Sequence, residues 1–146
     1  MEIYTIGFTK RSARDFFETI KLRGIRRLVD VRLNNSSQLA GFSKKDDLEY
    51  FLRRLCDAAY VHDPTLAPTP ELLDSYKKRK SSTWDEYAIS FLSLMAARKI
   101  EERLHPADFQ EPTVLLCSEY KPQHCHRRLV LEYLQSKWGG LEIKHL

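Results

Sequence analysis

The stretch "TVLLCSEYKPQHCHRR", residues 113–128, gathers Cys117, Glu119, His124, Cys125, His126, Arg127 and Arg128 into a short span. A cysteine thiolate is a nucleophile, a carboxylate or imidazole can move protons, and an arginine holds a carboxylate or phosphate through its fork of donors. The combination points to thiol chemistry on an anionic group, with Cys117, Glu119, Cys125 and His126 as the catalytic candidates. Pro122 forbids helix just before Cys125, and Leu129, Val130, Tyr133 and Leu134 supply a buried helical face after it. A thiol in a helix's first turn meets the positive end of the helix dipole, which favours thiolate. Cations are disfavoured there, so Arg127 implies an anionic partner, whereas Arg128 stands four residues before Glu132 and reads as a surface ion pair.

The same cluster has enough donors for one zinc ion. Seven residues separate Cys117 from Cys125, however, no C-x-x-C occurs, and neighbours such as Cys125 and His126 rarely reach one ion together. Zinc is therefore the lesser alternative, and no cofactor is expected. Neither glycine-rich phosphate-loop pattern is present.

The elements that must position these residues are legible as alternating patterns. Strand-length apolar runs fall at Ile3 to Ile6, Leu28 to Val31, Tyr60 to His62, Val114 to Cys117 and Glu142 to His145. Helices are expected after Ser12 with Asp15, after Ser43 with Asp46, at Thr69–Pro70, and after Thr83 with Glu86, where a capping side chain precedes an apolar stripe. Strands alternating with helices predict an α/β fold: one domain over residues 1–146, with a mostly parallel five-stranded sheet and helices on both faces. A helical insertion at about 65–110 is more than a simple crossover needs and reads as a lid or side wall. In open parallel sheets ligands bind beyond the carboxyl ends of the strands. Those ends carry Gly7, Asp30 with Arg32, His62, Cys117 with Glu119, and His145. Gly7, Arg32, His62, Arg127 and His145 are accordingly the ligand-binding candidates, with Asp30 orienting Arg32. The polar loop through Asn34, Asn35, Ser36 and Ser37 either turns the chain or meets the substrate.

Bulk properties exclude several classes. A chain of 146 residues with 42% hydrophobic and 30% charged residues can bury its own core, and no apolar run is long enough for a bilayer. The start "MEIYTIGFTKRS" lacks the pattern of a secretory signal, and three cysteines are an odd number, so reduced thiols and a cytoplasmic location are expected. A net charge of +4, with lysines and arginines interleaved among acids, does not by itself predict nucleic-acid binding.

Several unusual motifs in order then carry a resemblance. Thr5 to Gly7 (T-I-G), Asp30 to Arg32 (D-V-R), Tyr60 to His62 (Y-V-H), Cys117 and Glu119 (C-x-E), Pro122 with Cys125 to Arg127 (P-x-x-C-H-R) and the closing His145 resemble the bacterial and archaeal domain-of-unknown-function family 488. Relatives tend to read "HLPEL" where this chain has Asp63 and Thr65, so no acid stands at position 65. The resemblance implies a compact α/β domain with a polar cluster at the strand ends. A weaker likeness, through "LVDVR" and a later strand ending in cysteine, is to rhodanese-like sulfurtransferases and cysteine phosphatases. Their tight anion-cradling loop is longer here, lacks glycine and carries Glu119. The expectation is a small enzyme-like domain, a thiol-dependent transferase or hydrolase, binding a small anionic or phosphate-containing ligand. The alternative is a non-catalytic nucleic-acid or nucleotide-binding module using Arg32, Arg127 and Lys10–Arg11.

Overall fold

The computed structural model describes residues 1–36 and 41–146; Ser37 lies outside the described residues. The expected strands appear as β1 (Glu2–Gly7), β2 (Arg27–Asp30), β3 (Ala59–His62), β4 (Thr113–Cys117) and β5 (Glu142–His145), each limit within one residue of its sequence reading. They form a single sheet in the order β3-β2-β4-β1-β5, every pairing parallel. β4 is buried along its whole length, and the edge strands β3 and β5 alternate between exposed and half-buried positions.

The pleat sends successive side chains to opposite faces. Tyr4, Ile6, Leu28, Val114 and Leu116 face α1 (Ala13–Leu22) and α2 (Lys45–Phe51). Ile3, Val29, Leu115 and Cys117 face α4 (Trp84–Arg98) and α6 (His126–Trp138). The remaining helices are α3 (Pro70–Lys77) and the short α5 (Ile100–Arg103). Three of the expected starts are as read: Ser12 accepts the Asp15 N–H, Thr69 the Leu72 N–H, and Thr83 with Glu86 makes a complete capping box. The α2 start differs. Ser43 is buried in the preceding turn, where its carbonyl accepts from Arg32, and Lys44 takes the cap position without a side-chain bond. After Phe51 the helix widens into a π turn over Leu52–Cys56, which ends at Asp57 in the left-handed region.

The outgoing chains of β2 and β4 diverge. From β2 the chain runs through α2 on one face to the edge strand β3; from β4 it runs through α6 on the other face, past β1, to β5. Adjacent strands whose connections leave in opposite directions open a crevice at their carboxyl ends. Arg32 and Cys117 stand at its two sides. No helix among the described residues is long and apolar enough to cross a membrane.

Candidate functional site

The strand exits are laced together before any chemistry is considered. The Val31 N–H donates to the Leu116 carbonyl at 3.0 Å, and Thr9 donates through its N–H and its hydroxyl to the Ser118 carbonyl at 3.1 and 2.6 Å. The His62 Nε2–H donates to the Arg32 carbonyl at 2.8 Å, so the half-buried His62 ties β3 to the β2 exit. Gly7 allows the β4 exit loop to lie on β1: a Cβ there would stand 1.6 Å from the Glu119 carbonyl oxygen. Its place in the motif is explained by this close approach of backbone.

A cavity of about 300 Å³ opens at the crevice. Arg32 and Asn34 line it from the β2 exit, Cys117 and Glu119 from the β4 exit, and Cys125 and His126 from the start of α6. Tyr76 and Lys77 of α3 and Trp84 and Tyr87 of α4 close the opposite side, so the helical segment supplies a side wall. Trp84 stacks against Tyr87 at 5.3 Å and against His124 at 5.1 Å. This aromatic wall was not identified as part of the site from sequence; the stripe on α4 read as core, and Tyr87, Phe91 and Met95 are indeed buried core.

Cys117, Cys125 and His126 are all buried, and their donor atoms lie within 4.8 Å of one another. The imidazole is fixed by its Nε2–H, which donates to the Val31 carbonyl at 2.7 Å. That tautomer leaves the Nδ1 lone pair 3.6 Å from the Cys117 sulfur, where it can accept the thiol proton. The Cys125 sulfur lies within 4.8 Å of the Cys117 sulfur. Cys125 occupies the cap position of α6 but makes no capping bond, so its thiol is free for the site. These three donors, with a carbonyl orienting the imidazole, match in kind what zinc takes.

The two thiols are pushed apart in acidity. The Cys125 hydrogen bond lowers Cys117 most, and although burial opposes it, the Arg127 charge and the Ser118 and Glu119 backbone N–H groups bring the thiol below its ordinary range. Burial, then the hydrogen bond to Cys117 and its charge, push Cys125 well up. Burial and the charges of both sulfurs also push Tyr87 up.

The two arginines differ in their commitments. Arg127 is 0% exposed and donates through Nε to Thr5 Oγ1 at 3.2 Å and through its other nitrogens to the Glu119 and Tyr120 carbonyls. It therefore latches the exit loop outside the cavity lining, and its charge favours thiolate at both Cys117 and Cys125. Arg32 is 3% exposed and pairs with Asp30 through two bonds of 2.9 and 2.8 Å. Tyr60 donates to the same carboxylate at 2.6 Å. One arginine nitrogen, Nη1, is buried without a hydrogen-bond partner among the described residues, on a side chain that lines the cavity.

The remaining candidates lie apart from the cavity lining or at its mouth. The Glu119 carboxylate is half-exposed and paired with Lys77. His145, paired across the sheet with Thr5, shares a hydrogen bond between its Nδ1 and the Thr5 hydroxyl at 2.6 Å, and burial, then the Arg127 and Arg128 charges, lower its pKa. Arg128 pairs with Glu132 at 3.2 Å, as its spacing indicated. Asp63 caps the turn after β3 by accepting from Thr65, the position without an acid.

Fold and site together define an α/β protein with a thiol-lined cavity at the carboxyl edge of a parallel sheet. The model for the family described as "Domain of unknown function DUF488" matches residues 12–134, most of the chain, and the chain belongs to that family. The match gives nothing for the weaker rhodanese-like likeness. No curated protein and no solved structure matches the chain.

Proposed function

We propose that this domain is a thiol-dependent transferase or hydrolase that binds a small anionic substrate beside Arg32 and attacks it with Cys117. The observation that carries the reading is a pairing. A buried sulfur faces a histidine nitrogen of fixed tautomer, while Arg32, which lines the same cavity, keeps one buried nitrogen without a hydrogen-bond partner among the described residues. Unpaired buried donors cost free energy, and a carboxylate or phosphate oxygen at Nη1 would remove that cost.

In this reading Cys117 passes its proton to His126 Nδ1, and its sulfur forms a bond to the electrophilic centre of the substrate. The bond to the leaving group breaks, and the leaving group takes the proton from His126. Water, or an acceptor molecule that fits the cavity, then displaces the sulfur and regenerates the thiolate. Arg127 serves as a positioning residue, holding the exit loop and keeping a positive charge beside the sulfur. Gly7, His62 and His145 maintain the strand exits rather than touch the substrate. The three cysteines are free thiols, in keeping with a reducing cytoplasmic setting.

Alkylation distinguishes this from an inert core thiol. At pH 6.5 a thiol of ordinary pKa is about 1% thiolate, so Cys117 should react up to about 100-fold faster than a free cysteine. Iodoacetate should gain over neutral iodoacetamide through Arg32, and Arg32→Lys should reduce that preference. A Cys117 that titrates like free cysteine, with no preference for the anionic reagent, would refute the proposal.

A further inference from the structure

The nucleophile reading uses one thiol, yet the site holds two. Cys117 ends β4 and Cys125 caps α6, and their sulfurs lie within 4.8 Å across a loop, residues 118–124, that belongs to no helix or strand. Both line the cavity, which admits a small molecule while excluding a macromolecule. A disulfide needs sulfurs about 2.05 Å apart, so the pair has at most about 2.8 Å to close, and neither sulfur is bonded to a backbone carbonyl among the described residues. Cys56 has no such partner: it lies on the opposite face of the sheet, with its thiol donating to the Phe17 carbonyl at 3.5 Å.

We propose that Cys117 and Cys125 form a reversible dithiol–disulfide couple that reduces small anionic disulfides; this rests on Cys117 being the nucleophile. The Cys117 thiolate attacks one sulfur of the substrate disulfide, the substrate S–S bond breaks, and one substrate thiolate leaves, taking from His126 the proton that Cys117 had passed to it. A mixed disulfide remains on Cys117. Cys125 then gives up its proton to the His126 ring and attacks the Cys117 sulfur, expelling the second substrate thiolate. The substrate gains two electrons, and the protein is left with a Cys117–Cys125 disulfide that a small external thiol reduces.

Arg127 is anchored by Thr5 and by the Glu119 and Tyr120 carbonyls, so its positive charge stays near both sulfurs through both steps.

The test uses 5,5′-dithiobis(2-nitrobenzoate), an anionic disulfide whose released thiolate is counted by absorbance, on the whole folded chain carrying Cys56→Ala. The couple predicts two equivalents of released thiolate per reagent consumed and a protein two hydrogens lighter, without adduct. Cys125→Ser, or Cys125→Ala should the serine variant fold poorly, should release one equivalent and retain the adduct on Cys117. One equivalent and a stable adduct in the protein that keeps Cys125 would overturn the couple and leave the nucleophile reading intact. A Cys117 that reacts no faster than an ordinary thiol would overturn both.

Discussion

The two faces of the sheet hold thiols of nearly equal burial and opposite tendency. Cys56, 8% exposed, lies among Phe17, Leu52 and the rest of the α1/α2 core, and burial raises its pKa, opposed by the Lys21 charge and aided by that of Glu18. Cys117, 5% exposed, lies on the α4/α6 face, and its pKa is lowered. Burial therefore decides neither case by itself. What separates them is the set of donors aimed at the sulfur: a second thiol, two backbone N–H groups and a guanidinium outweigh a desolvation cost that nothing opposes as strongly at Cys56. One face spends its polar groups on sealing the core, and the other gathers them at a cavity.

The sharpest way to break that comparison is on the apolar face. Phe16 is fully buried and packs against Phe17 at 5.0 Å. Phe16→Ala should cost roughly 3–5 kcal/mol in denaturant unfolding. The folded fraction should nonetheless keep its rapid alkylation at Cys117, because none of the groups that lower that thiol is on α1. Loss of the rapid phase in folded protein would mean that the faces are coupled.

A smaller effect on stability, with a larger one on chemistry, is expected from Arg127→Met. The Thr5, Glu119 and Tyr120 oxygens would lose their donor, at about 2 kcal/mol in total. The pH midpoint for alkylation of Cys117 should rise, since a positive charge that favours its thiolate is gone. The direction follows from charge: without the guanidinium, thiolate is less favoured and deprotonation waits for higher pH. An unmoved midpoint would assign the lowered thiol to its hydrogen bonds alone.

Much of this arrangement was legible before any coordinates. Parallel strands announce themselves as short apolar runs, and the rule that ligands bind at their carboxyl ends gathered Gly7, Arg32, His62, Cys117, Glu119 and His145, of which Arg32, Cys117 and Glu119 line the cavity. Which strand-end residues share a cavity was not legible, because that depends on the pleat and on the neighbour across the sheet. His62 and His145 end edge strands and turn to a carbonyl and to Thr5. Arg127 read as an anion binder because it is a cation in a helix's first turn; the fold instead gives it loop carbonyls to hold. Trp84 and Tyr87 escaped notice because an aromatic on a helical stripe looks the same whether its far side meets core or cavity. Local pattern specifies elements, whereas side-chain company at their ends is decided by tertiary packing.

The smallest expected effect tests where the Cys117 environment is built. Glu119 contributes its backbone to the site: the carbonyl receives Arg127, and the N–H favours the thiolate. Its side chain is half-exposed and paired with Lys77, each 43% exposed, and such pairs are worth less than about 1 kcal/mol. Glu119→Gln keeps the backbone and removes only that charge. Stability should change by less than about 1 kcal/mol, and the pH midpoint of Cys117 alkylation should stay in place. Lys77, released from its partner, should raise the preference for iodoacetate modestly, and added salt should erase the gain. If the low-pH limb of the profile were lost instead, Glu119 would be the proton acceptor in place of His126. The division between a loop that acts through its backbone and a helix start that acts through its side chains would then have to be redrawn.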